Sequence, residues 1–123
     1  MQKILTISFV CIVSSLLSGC GSVKETICYE TEAQNRNGLV CLSNQQEPFT
    51  GKNLCKYENG QNKVEGNYKD GKLDGKWTWW HENGQKWSEI NFKEGKPDGK
   101  WTEWDENGQK QKENNYKDGR EVD

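Results

Sequence analysis

Asp74-Gly75-Lys76-Trp77-Thr78-Trp79-Trp80-His81-Glu82-Asn83-Gly84-Gln85-Lys86 is echoed 24 residues later by Asp98-Gly99-Lys100-Trp101-Thr102-Glu103-Trp104-Asp105-Glu106-Asn107-Gly108-Gln109-Lys110. Gly75 maps to Gly99, Trp80 to Trp104 and Asn83 to Asn107 by the same step. A weaker copy lies upstream, with Gly51-Lys52 standing for Gly75-Lys76 and Glu58-Asn59-Gly60-Gln61 for Glu82-Asn83-Gly84-Gln85. A fixed period of this length describes stacked supersecondary units, each leaning on its neighbours, rather than one globular core.

Within a unit the pattern reads hairpin, turn, hairpin. Asn-Gly at 59–60, 83–84 and 107–108 is a hairpin signal, and a type I′ turn, with positive φ at both central residues, is expected there. Strands such as 76–81 and 86–92 flank it. The second connection, 69–75 and 93–99, is richer in glycine, and no segment shows helical periodicity. The expected fold is all-β: an antiparallel meander of repeated hairpins forming one elongated sheet. Trp77/Trp101, Trp80/Trp104 and Tyr68/Phe92/Tyr116 recur at the same step and are the expected repeat core. Each ring can bury roughly 150–250 Å2. On a regular strand Trp77 and Trp80 point to opposite faces, so either both faces carry rings or a bulge restores one. Asn53 and Lys56 replace the two repeated Trp in the first unit, which reads as an N-terminal cap. The far end is expected to fray or to be capped by the polar Arg120-Glu121 tail.

Hydrophobic residues make up 31% of the chain and mean hydropathy is -1.11, low for a buried interior. The 6 Trp argue against disorder, which depletes aromatics. A net charge of -2 gives no electrostatic case for binding nucleic acid.

The N-terminus has the layout of an export signal. Lys3 supplies the positive start, and 4–17 is an apolar run too short to span a bilayer comfortably. It ends in Leu17-Ser18-Gly19-Cys20, which resembles the lipobox of bacterial lipoproteins. That resemblance implies a signal peptide over 1–19 and acyl chains, palmitate among them, on Cys20. A lipidated N-terminus and tether would follow over 20–36, and a repeat domain over 37–123 with units of about 49–72, 73–96 and 97–120. Several acyl chains exceed the two signals that stable anchoring needs. Gly21, where an Asp would favour inner-membrane retention, leans toward the outer membrane, on its periplasmic face or at the surface, if the cell is Gram-negative. Loss of Lys3 with the signal would take the net charge from -2 to -3. The expected location is the bacterial cell envelope.

The pattern Gly-Lys-Trp-Thr-x-Trp-x-Glu-Asn-Gly-Gln-Lys, followed by Glu-x-x-Tyr/Phe-Lys-Asp/Glu-Gly, resembles the bacterial variant of the MORN repeat. The lead-in from Arg36-Asn37-Gly38-Leu39-Val40 to Pro48-Phe49-Thr50-Gly51-Lys52 is similar to how that family begins, so the resemblance covers 36–120. It implies a sheet of hairpins and a role in interaction rather than catalysis. Many such proteins are labelled antitoxin components of toxin–antitoxin systems; an exported, anchored member departs from that cytoplasmic setting.

Beyond Cys20, the cysteines expected in the exported chain are Cys28, Cys41 and Cys55, an odd number in a compartment that permits disulfides. Adding 24 maps Cys41 onto Glu65 and Cys55 onto Trp79, positions symmetric about Lys72. Facing positions of that kind put Cys41–Cys55 at bonding distance; Cys28–Cys41 is the alternative.

No Ser, His and acid form a triad, and no Cys/His spacing resembles a zinc site. Glu82, Glu106, Glu89 and Glu113 recur in register, and a residue present in every unit serves the unit, whereas a catalytic pair is needed once. The Asp-Gly pairs lack EF-hand spacing. The expectation is therefore no enzyme, no cofactor and no metal. Trp79 and Trp87 break the repeat, since Glu103 and Gln111 hold the matching places. They are candidates for an exposed binding face able to stack on a sugar or on a partner's side chain, with extra packing rings as the plain alternative. The expected function is a lipid-anchored protein-binding or scaffolding module. A cell-wall glycan-binding module is the alternative, although such modules have a shorter repeat and a denser Trp-Tyr-Tyr pattern. An immunity or antitoxin protein that neutralises an effector is the third reading.

Overall fold

The computed structural model describes residues 25–123. The signal peptide, Cys20 and the start of the tether lie outside the described residues. Thr26–Ile27 forms β1 and Tyr29–Glu32 a one-turn helix, α1. Ala33–Arg36 (β2) and Leu39–Leu42 (β3) form a small antiparallel hairpin. The repeats supply β4 (Gly51–Lys56), β5 (Asn62–Lys69), β6 (Lys72–Trp80), β7 (Lys86–Lys93), β8 (Lys96–Trp104), β9 (Lys110–Lys117) and β10 (Arg120–Val122). The main sheet has 8 strands in the order β1-β4-β5-β6-β7-β8-β9-β10. The all-β meander is as expected, with β2–β3 as a second sheet that the repeat pattern does not announce. Residues 26–36, expected as tether, instead form β1, α1 and β2. The polar tail at 120–122 pairs with β9 as a short strand.

The two kinds of turn are exchanged relative to expectation. The Asn-Gly connections are three-residue loops: Tyr57 N–H donates to Gln61 O at 2.9 Å and Gly60 N–H to Tyr57 O at 3.0 Å. Only the glycine takes positive φ there, as in a type I turn followed by a bulge. Consecutive positive φ occurs instead at Asp70-Gly71, Glu94-Gly95 and Asp118-Gly119. These are the two-residue turns, because Lys69 pairs directly with Lys72 and Lys93 with Lys96.

One face of the sheet carries the core. Ile27, Phe49, Cys55, Val64, Tyr68 and Trp77 are buried together, with Val40, Leu42, Leu73, Trp79 and Phe92 packed against them. Tyr68 stands edge-on to both Phe49 and Trp77. The Trp77 ring lies over Gly66, where a Cβ would run into it, and its Nε1 donates to Asn67 O at 3.0 Å. In the next unit Ile90 occupies the place of Gly66, and the buried Nε1 of Trp101 finds no partner among the described residues.

The expected repeat core is therefore corrected. Trp77 and Tyr68 are buried, whereas Phe92, Trp101 and Tyr116 are only half-buried. Trp80 and Trp104 leave the core altogether. A register shift lies between Trp79 and Trp80, but its extra residue is Trp87 on β7, so β6 keeps its alternation. Both faces thus carry rings, with Trp80 and Trp104 on the face away from Trp77.

The disulfide joins Cys28 to Cys55, with Cα atoms 4.7 Å apart, and Cys41 is a buried free thiol. Both expected pairings, Cys41–Cys55 and Cys28–Cys41, are overturned. The symmetry about Lys72 fails because the turn centres between Asp70 and Gly71, with Lys69 opposite Lys72, so that even beyond the bulge Glu65 faces Thr78 and Val64 faces Trp79. Moreover Cys41 lies on β3, which pairs with β2 and not with β4. Its place beside β4 is taken by β1, running parallel with Ile27 opposite Asn53. The repeat-breaking Asn53 makes this possible. It is small, fully buried, and its Oδ1 accepts the Tyr29 N–H at 2.9 Å, fixing the start of α1. Glu32 reaches back to the Cys28 N–H at 3.0 Å and closes that single turn.

Candidate interaction ridge

The three-residue turns stand side by side along one edge of the sheet and are bonded to one another. Tyr57 donates its hydroxyl to Trp80 O at 2.7 Å, and His81 Nε2 lies 3.2 Å from Trp104 O. A carbonyl only accepts, so that contact places the proton on Nε2. Asn59 and Asn83 donate their side-chain amides to Glu82 O and Glu106 O, at 3.0 and 2.8 Å. Each turn therefore grips the next. In the last unit Asp105 turns inward instead, accepting the N–H groups of Asn107 and Gln109 at 2.9 Å.

Across each hairpin a second contact repeats. Lys63 Nζ sits 5.8 Å above the Tyr57 ring, His81 and Trp87 lie 6.4 Å apart, and Gln111 donates to Asp105 at 3.0 Å. His81 is half-buried in this ladder. A groove of about 440 Å3 opens between turns, lined by Tyr57, His81, Glu82, Asn83 and Glu106.

The two rings that break the repeat differ in burial. Trp79 pairs with Ser88 and its ring lies 5.8 Å from Trp77, on the core side. Trp87 follows Lys86 as the extra residue of the bulge, lies 6.4 Å from His81 and is 50% exposed. No ring contact joins Trp79 to Trp87 among the described residues. The sequence signal that marks Trp87 is its departure from the repeat, but the same signal marks Trp79, and only their burial separates them.

Behind the ridge the sheet surface is neutralised within itself. Glu65 pairs with Lys52, Glu89 with Lys76 and Lys86, and Glu113 with Lys100 and Lys110. The Lys110 ammonium, bonded to Glu113 at 2.8 Å, holds that carboxyl below the usual carboxylate range. The bond that Lys63 donates to the Glu30 carboxylate raises Lys63 above its ordinary value. Lys86 also lies 5.7 Å over the Trp104 ring, in a trough shared with Trp80. These recurrent carboxylates serve their units as ion-pair partners. Among the described residues Cys28, Glu30 and Cys55 are a group close enough to hold a metal, but both sulfurs are consumed by the disulfide.

A chain of near-identical hairpins, bonded turn to turn and sharing one sheet, is a repeat protein of the solenoid kind. It belongs to the MORN repeat variant family, whose pattern matches residues 49–70, 73–94 and 97–118, more than half the chain. In general terms this makes it a repeat-built protein-binding module. Comparison with curated proteins and with solved structures finds no match.

Proposed function

We propose that the chain is a lipid-anchored protein of the bacterial envelope whose turn ridge binds another protein. The observation that carries the binding site is Trp87: a large ring 50% exposed on a bulge, where the neighbouring unit has Gln111. Exposed rings flanked by polar groups are typical anchors of protein interfaces. The anchor rests on the run from Lys3 to Leu17-Ser18-Gly19-Cys20. Scaffolding or neutralisation of an effector would both use such a ridge, and neither requires catalysis by this chain.

Crosslinking in living cells, with the captured proteins identified by mass spectrometry, tests the reading. One dominant partner captured by the native chain and lost in Trp87→Ala is the expected result; identical capture by both sinks it. Incorporation of labelled palmitate that disappears in Cys20→Ala is expected for the anchor. A glycan-binding reading has one observation in its favour, the trough holding Trp80, Lys86 and Trp104. Retention on purified peptidoglycan that is lost in Trp104→Ala but kept in Trp87→Ala would favour it.

A further inference from the structure

The acidic residues of the repeats fall into two rows with opposite fates. Glu65, Glu89 and Glu113 all have lysine partners. Glu58, Glu82 and Glu106 open the three turns, are exposed, and have no ion-pair partner among the described residues. Lys63 is engaged by Glu30, Lys86 by Glu89 and Lys110 by Glu113, while Lys56, just before the first turn, is a single cation against the three carboxylates. The ridge is thus left with an excess of carboxylates, none of the three ion-paired among the described residues, beside Trp87, Tyr57 and the groove between the turns.

We propose that the ridge receives a cationic protein segment in polyproline II conformation, with Lys or Arg at every third residue. This rests on the reading of the ridge as a protein interface and names its partner's chemistry. Successive turns are two strands apart, roughly 9.5 Å at the usual strand spacing. A polyproline II chain rises about 3.1 Å per residue with three residues per turn, so every third side chain points the same way, roughly 9.3 Å apart. An extended β-strand repeats on one face at about 6.7 Å and falls out of step. One cation would meet each of Glu58, Glu82 and Glu106, while the stiff backbone lies against Tyr57 and Trp87, as such chains dock on aromatic grooves. A cation above Trp87 gains further from the ring face.

The test uses the full-length chain and synthetic peptides of Lys-Pro-Pro repeats, with the dissociation constant measured calorimetrically at low and high salt. A second peptide of the same composition groups its lysines in adjacent pairs. Binding is expected for the first peptide, weakening with salt. Affinity should be about fivefold poorer for the regrouped peptide and about fivefold poorer with the Glu82→Gln/Glu106→Gln variant. Trp87→Ala should cost a similar factor. Equal affinity for the two peptides, no binding, or no effect of the Gln variant would each overturn the proposal. If Trp87→Ala abolishes capture of the cellular partner while Lys-Pro-Pro fails to bind, the partner chemistry is wrong and the interface reading stands. If the variant leaves capture unchanged, the interface reading itself fails.

Discussion

Gly66 and Tyr68 show how much a single position on this sheet decides. The glycine lets the Trp77 indole lie flat on β5 and reach the Asn67 carbonyl. Gly66→Ala is therefore expected to cost about 1–3 kcal/mol through overpacking, read as a lower denaturant midpoint at unchanged slope. Burial pushes the Tyr68 phenol up to about 12, with Tyr29 adding a smaller effect in the same direction. The folded chain thus holds this proton more tightly than the unfolded one, whose phenol titrates near 10. Its contribution to stability is complete below about pH 10 and is lost as pH rises toward 12. Tyr68→Phe should flatten the fall in stability over that window, measured by denaturation at graded alkaline pH. Both rings are legible as core in the sequence because they recur. The division of Trp79 from Trp87 is not, since only the strand register shows that Trp79 is paired while Trp87 is the extra, exposed residue of a bulge.

Turns and cross-links carry the next layer of specificity. Asn83 and Asn107 hold the same place in successive units, yet only Asn83 donates across to a following turn. Asn83→Ala should lower stability by about 0.5–1.5 kcal/mol and Asn107→Ala by less, a comparison that equilibrium unfolding settles directly. The disulfide closes a loop over a sequence separation of 27 and ties β1 and α1 to the sheet edge. Replacing both Cys28 and Cys55 by Ser should cost about 2–4 kcal/mol, and non-reducing peptide mapping should recover Cys28 joined to Cys55 with Cys41 free. The hairpins themselves are legible from Asn-Gly and Asp-Gly spacing. Their turn types are not, because the number of loop residues depends on where pairing stops. The disulfide was hidden for a related reason: β1 lies outside the repeat, so no 24-residue offset predicts its place beside β4.

Across the molecule, burial declines along the sheet. Asn53, Cys55, Val64, Tyr68 and Trp77 are buried on β4 to β6, whereas β9 and β10 have no buried residue. Stability should follow the same gradient. Amide exchange of β9 is expected to be markedly faster than that of β5, by native-state hydrogen exchange, because local opening there exposes little apolar surface. The repeat, its period and the all-β architecture were readable from sequence, since each unit states the same pattern. The covering segment from 25 to 50 was not, because it occurs once, so no repeat offset announces the parallel pairing of β1 with β4 or the separate β2–β3 hairpin. The turn-to-turn bonds have a consequence for inheritance. Each unit presents the same carbonyls that the unit before it grips, so an in-frame duplication or loss of one whole unit leaves every remaining grip a partner. A one-residue insertion within a strand reverses face parity and has no such tolerance. Relatives should therefore differ in length by multiples of 24 residues, with the acidic line on the turns growing or shrinking by one carboxylate each time.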